Sequence, residues 1–130
     1  MQWDDSPAAG FTSGTPWITP PENYRTINAA AELRDPDSIL AFYKRLIRLR
    51  KEEPVISEGQ IAFLFQDVPE VFAYRRTLGE RELVVLNNLT GREVSLEGAP
   101  WDRGEKVLGN YQDSARFLRP YETVAFRPGR

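Results

Sequence analysis

The hydrophobic period of this chain changes at Gly59. Ahead of it, Ile39, Leu40, Tyr43, Leu46 and Ile47 recur at i, i+1, i+4, i+7 and i+8, with Phe42 and Leu49 as a flanking second stripe. That spacing predicts a helix over residues 36–52 with a wide apolar face. Behind Gly59 come six short runs rich in β-branched and aromatic residues, at 60–66, 71–77, 82–89, 93–97, 106–111 and 122–127. Turn signals at 67–69, 78–80, 88–91 and 97–100 divide them, as in an antiparallel sandwich or small barrel. The fold class expected is therefore α+β, with an irregular and helical part over 1–59 and a sandwich-like antiparallel β domain over 60–130. The helix face is too broad for a lone helix to cover, which points to packing partners outside these 130 residues.

Local signals fix the ends of the helical part. Asn28 is placed to cap a short helix over 29–33. Asp35, Pro36 and Asp37 then offer an N-cap, a proline at the first helical position and an acid in the first turn. Lys44, Arg45, Arg48, Arg50 and Lys51 crowd the C-terminal half, where the helix dipole favours positive charge on a solvated face. Pro54 should stop the helix. Residues 1–27 read as a loop, punctuated by Ser6-Pro7, Ala9-Gly10, Ser13-Gly14, Thr15-Pro16 and Pro20-Pro21. Disordered segments are poor in aromatics, yet Trp3, Phe11, Trp17 and Tyr24 are spread through this one, and such rings need something to pack on.

Two absences narrow the chemistry. With no cysteine and no histidine, disulfides, thiol nucleophiles, the Ser-His-Asp triad and the usual zinc ligand sets are excluded. No metal site and no cofactor are expected. A net charge of −2 carries no footprint for nucleic acid or anionic lipid, which argues against a small-barrel nucleic-acid binder. No apolar run approaches the roughly 18 residues of a membrane span, and the acidic, proline-bearing start lacks the regions of a signal peptide, so a cytoplasmic location is the default expectation.

The remaining constellations are mostly better explained by structure than by chemistry. Asp4-Asp5 is a carboxylate pair that a hard cation would want supplemented by more oxygen ligands, and a turn and cap role fits it better. Trp3, Trp17 and Trp101 are a sugar-stacking platform on one reading and core or interface anchors on the other. Glu70, Glu82, Glu93, Glu97, Glu105 and Glu122 fall at strand starts and turns, where solvated charges lie, and no pair among them stands out as catalytic. Asn88-Leu89-Thr90 matches a glycosylation pattern, but the polar end of a strand explains it more simply.

The opening stretch MQWDDSPAAGFTSGTPWI, followed by PENYRTINAAAELRDPDSILAFYKRLIRLRKEEPVI, resembles the end of the catalytic barrel of oligo-1,6-glucosidases and related α-glucosidases of the α-amylase superfamily. The family phrase R-T-P-M-Q-W-D, a Gly-Phe-Thr and Pro-Trp segment, Ile-Asn, D-P-x-S-I and a helix ending in L-R-K match in order from Met1 to about Val55. The later Leu118-Arg119-Pro120-Tyr121-Glu122 is similar to a phrase of the β domain that follows the barrel in these enzymes.

That resemblance implies that residues 1–59 are the remnant of the last unit of a TIM barrel. It also implies that the family's catalytic carboxylates lie on earlier strands, so no catalytic residue is expected in this chain. Met1 corresponds to the methionine inside the family phrase, whose arginine, close to the sugar site in the family, would fall just before it. Gln2, Trp3 and Asp4 become candidate substrate-binding residues on that ground. The parent activity implied is a retaining α-glucosidase on short α-linked oligosaccharides, with the chain its inactive C-terminal part. An independent carbohydrate-binding or interaction module is the alternative. The partners expected are the N-terminal catalytic barrel and, without it, a second copy meeting the exposed helix and loop.

Overall fold

The computed structural model describes residues 1–99, 104–113 and 115–129. They form two compact units, Met1–Leu49 and Arg50–Arg130.

In the first unit the loop leads through short 3-10 turns at Pro7–Gly10 and Glu22–Arg25 into helix α1, Ala29–Arg34, and helix α2, Ile39–Glu52, whose last turn runs on into the second unit. Asn28 caps α1 as its position predicts, its Oδ1 accepting from the Ala31 N–H at 2.8 Å. Helix α2 begins later than the sequence suggests. Asp35 spends its carboxylate on a local turn, accepting from the Asp37 N–H at 2.9 Å. Ser38 takes the N-cap: its Oγ accepts from the Ala41 N–H at 3.1 Å and donates to the Glu32 carbonyl at 2.7 Å. The Glu32 carboxylate accepts from the Leu40 N–H at 3.0 Å, so the amides of Leu40 and Ala41, which lack intrahelical partners, are both met from within this unit. The apolar stripe of α2 is present but uncovered. No residue of this helix is buried, and Ile39, Tyr43, Leu46 and Ile47 are all exposed.

Pro54 ends α2 and then serves as the first residue of a further short helix, α3, Pro54–Glu58. Five residues are too few to show a hydrophobic period, which is why the sequence pattern passes over it. Five strands follow: β1 Gln60–Leu64, β2 Val71–Leu78, β3 Arg81–Asn88, β4 Gly104–Gly109 and β5 Thr123–Pro128. They form one antiparallel sheet in the order β1-β2-β3-β5-β4. The expected strand at 93–97 reduces to a single bridge, Val94 opposite Leu118. In place of a second sheet, the loops carrying Leu96 and Leu118 cover one face, packing on Val71, Ala73, Val84, Leu86, Val124 and Phe126. Leu86 and Leu118 are fully buried, each contributing on the order of 2 kcal/mol of hydrophobic stabilisation.

The opposite face takes α3, whose Val55 packs with Leu83 and Ala125. Arg76 on β2 fastens the end of this helix, donating to the carbonyls of Gly59 at 2.7 Å and of Val55 at 3.1 Å, the latter also accepting from the Gly59 N–H at 3.2 Å. A Cβ on Gly59 would lie 2.4 Å from the Val55 oxygen, so only glycine lets the chain turn from α3 into β1 this tightly. Among the described residues no helix is long and apolar enough to cross a membrane.

Candidate functional site

The N-terminal loop is built around the start of α1. A helix begins with amides that lack intrahelical partners. Here the Ala29 N–H donates to the Gln2 carbonyl and the Ala30 N–H to the Trp3 carbonyl, both at 2.9 Å, while Asn28 serves Ala31. The backbone of Gln2 and Trp3 is thereby part of the helix cap. The Gln2 amide also donates to Asn23 Oδ1 at 3.3 Å, and Asn28 Nδ2 donates to the Tyr24 carbonyl at 2.8 Å, tying both ends of the loop to one point.

Beyond Trp3 the chain doubles back. The Trp3 N–H donates to the Ala9 carbonyl at 2.9 Å, and the Asp4 Oδ1 accepts from the Ser6 N–H at 2.9 Å and from its hydroxyl at 2.5 Å. Those two bonds, the hydroxyl's first, hold the Asp4 carboxyl below the usual aspartate range. Three consecutive residues, Ala8, Ala9 and Gly10, have φ of 54°, 55° and 66°. For the two alanines that left-handed conformation costs about 1–2 kcal/mol each. Burial of Ala9 and its doubly used carbonyl, which also accepts from the Asp4 N–H, hold them there. At Gly10 a Cβ would come within 2.7 Å of both Asp4 carboxylate oxygens. Asp4 therefore serves the turn, one of the two local roles that the sequence suggests, and Asp5 is exposed beside it.

The loop presents an open depression of about 730 Å³ between Ser6 and Pro16, edged by Phe11 and the hydroxyls of Thr12 and Ser13. Trp3 is half exposed and Trp17 is 95% exposed. The two rings make no aromatic pair with each other among the described residues, whose ring contacts lie in the sheet at Phe63, Phe72 and Tyr74. Trp101, the third ring of the proposed platform, lies outside the described residues.

The carboxylates of the second unit are mostly solvated, as expected. Glu93 and Glu97 are exposed, and Glu70, Glu82 and Glu105 pair at the surface with Arg92, Arg75 and Arg127. Arg127 also pairs with Glu53. Glu122 departs from that expectation: it is buried, and its Oε2 accepts from the Arg119 N–H at 2.9 Å and Nε at 3.2 Å. The Arg119 guanidinium lies 4.2 Å from the centre of the Tyr111 ring and donates to the Asp113 carboxylate at 2.7 Å, which holds the Asp113 carboxyl below its ordinary value. The Leu118–Glu122 phrase is thus a clasp for the loop between β4 and β5. The i, i+3 spacing of Arg119 and Glu122 is its one signal in the sequence. Among the described residues no group of three or more acidic side chains could hold a metal ion.

Residues 1–59 match the family model described as alpha amylase, catalytic domain. Over 98% of its length the chain is 48% identical to an oligo-1,6-glucosidase of Parageobacillus thermoglucosidasius, covering 24% of that protein. It is 40% identical, with the same two coverages, to a trehalose-6-phosphate hydrolase of Bacillus subtilis. The crystal structure of trehalose-6-phosphate hydrolase from Bacillus licheniformis superposes on 99% of this chain and 25% of that one, with a TM-score of 0.84 and 34% identity. The chain belongs to the alpha-amylase family of glycoside hydrolases. It spans about a quarter of the length of the curated relatives it matches, which are glucosidases and trehalose-6-phosphate hydrolases.

Proposed function

We propose that this chain is the C-terminal, non-catalytic part of an α-glucosidase-type hydrolase acting on short α-linked glucooligosaccharides, and that the 130 residues alone hydrolyse nothing. The observation that carries this reading is α2, a regular helix with an apolar stripe at Ile39, Tyr43, Leu46 and Ile47 and no buried residue. A helix of that pattern gains its stability by burying the stripe, and the body of a barrel about three times the size of this chain is the partner that fits. Gln2, Trp3 and Asp4 then stand near the sugar, with the backbone of the first two fixed by α1 and the carboxylate of the third engaged by Ser6. The hydrolysis itself would be a double displacement run by carboxylates on the partner barrel.

The test is an assay of the 130-residue chain on p-nitrophenyl α-glucoside, where turnover above a denatured control refutes the reading. Co-expression with the preceding three quarters of a relative should restore hydrolysis. Without that partner the α2 stripe and the loop should drive self-association, so light scattering from a clean monomer counts against the proposal. The full exposure of Trp17 favours a second reading, a module that stacks on glycan directly. Calorimetry with isomaltose decides between them: saturable binding that disappears in Trp17→Ala supports the module.

A further inference from the structure

We propose that the outer edge of β1 pairs, antiparallel and about a two-fold axis, with the same edge of a second copy of this chain. Strand β1 lies at one side of the sheet, and among the described residues nothing pairs with its outer edge. Which groups that edge offers follows from the ladder. The Leu89 N–H donates to the Glu70 carbonyl at 2.9 Å, so that pair is hydrogen-bonded. In an antiparallel ladder such pairs alternate, which turns the backbone groups of Val71, Ala73, Arg75 and Thr77 toward β1. Their partners Leu64, Ala62 and Gln60 answer inward. Ile61 and Phe63 therefore hold both their N–H and C=O groups outward, to the open side.

Two outward residues spaced two apart make the strand self-complementary. With Ala62 on the two-fold axis, Ile61 faces Phe63 of the second copy, and all four free groups of each strand find partners. The side chains agree with that register. Ile61 and Phe63 are 50% and 51% exposed on the face that also carries Phe72 and Tyr74, whose rings stand 5.9 and 5.8 Å from their neighbours. Pairing would set a β-branched residue against an aromatic one twice and join the two patches. The segment Gln60–Leu64 has no charge and no proline, so the devices that normally blunt an edge are missing.

The area sets the strength. Half-exposed rings leave about 100 Å² each, so the two patches together offer roughly 600 Å² of apolar surface, half of what stable interfaces bury. The dimer is therefore weak and concentration-dependent, forming between about 10 µM and about 1 mM.

The chain has no cysteine, so single substitutions report the register cleanly. In the proposed pairing the two Ala62 positions sit about 4.5 Å apart, within disulfide reach, whereas two Gln60 positions are about 13 Å apart. Ala62→Cys should cross-link under mild oxidant at least tenfold faster than Gln60→Cys. Equal rates mean contact through α2 or by chance collision and overturn the proposal. Sedimentation adds a second arm that keeps the exposed surface equally polar. The double variant Ile61→Lys with Phe63→Lys sets lysine against lysine and should weaken self-association at least tenfold, leaving only what the α2 stripe contributes. Ile61→Lys with Phe63→Glu sets opposite charges across the axis and should recover it at least tenfold at low salt. Failure of the second variant to associate more than the first, or a parent chain that stays monomeric at 1 mM, also overturns it.

Discussion

Asn87 and Asn88 are neighbours on β3 with opposite environments, and the difference makes a quantitative test. Asn88 is buried, its Nδ2 donating to the carbonyls of Arg92 at 2.6 Å and Arg119 at 2.8 Å. Its Oδ1 accepts from the Thr90 N–H at 2.9 Å and the Thr90 hydroxyl at 2.8 Å. One side chain thus ties together the loop after β3 and the clasp before β5. Asn88→Ala removes four bonds at about 1 kcal/mol net apiece, and partners left buried raise that figure while those near the surface recover water. The expected loss is about 3–4 kcal/mol. With a urea slope of roughly 2 kcal/mol/M, the midpoint of sheet unfolding followed by far-ultraviolet circular dichroism should fall by about 1.5–2 M. Asn87→Ala gives up bonds to the Phe72 carbonyl and the Thr123 hydroxyl at a wetter position, and should cost under about 1 kcal/mol. An Asn88→Ala chain within 1 kcal/mol of the parent, or no weaker than Asn87→Ala, would refute the idea that this amide organises both loops.

Three further outcomes follow from the geometry. Leu118→Ala empties a fully buried site under the sheet and should cost about 2–5 kcal/mol in the same denaturation experiment. Gly10→Ala meets both a left-handed backbone and the Asp4 carboxylate, so it should loosen the N-terminal loop by about 1–3 kcal/mol. Faster amide exchange at Trp3, with the sheet unaffected, is the sign to look for. Asp113 has its folded pKa depressed by Arg119, so its contribution is complete above the unfolded aspartate value of about 4 and is lost as pH falls through the folded value. The stability gap between the parent and Asp113→Asn should accordingly be present at pH 7 and shrink on acidification; an equal gap at both pH values would rule out the ion pair as its source.

Local chemistry was legible in the sequence. The turn at Gly79-Glu80, the β-branched and aromatic runs that make β2, β3 and β5, the Asn28 cap and the stop at Pro54 all depend on residues within a few positions of one another. The family phrases from Met1 to Val55 are equally local, and they carry the family resemblance by themselves. Where two local solutions competed, the sequence could not rank them: Ser38 took the α2 cap from Asp35 because its hydroxyl could also reach the Glu32 carbonyl.

What only the tertiary structure decided is which polar groups are buried and which apolar ones are not. Asn88 meets Arg119 across 31 positions, and Leu118 answers Val94 across a loop, turning a predicted sixth strand into one bridge. Glu122 looked like a solvated strand-start acid until Arg119 folded over it. The stripe on α2 was readable from its period, whereas its exposure followed only from the width of the face and from the family resemblance, which implies a barrel as its partner. Period reports which residues share a face, and burial depends on whether a second surface arrives to meet that face.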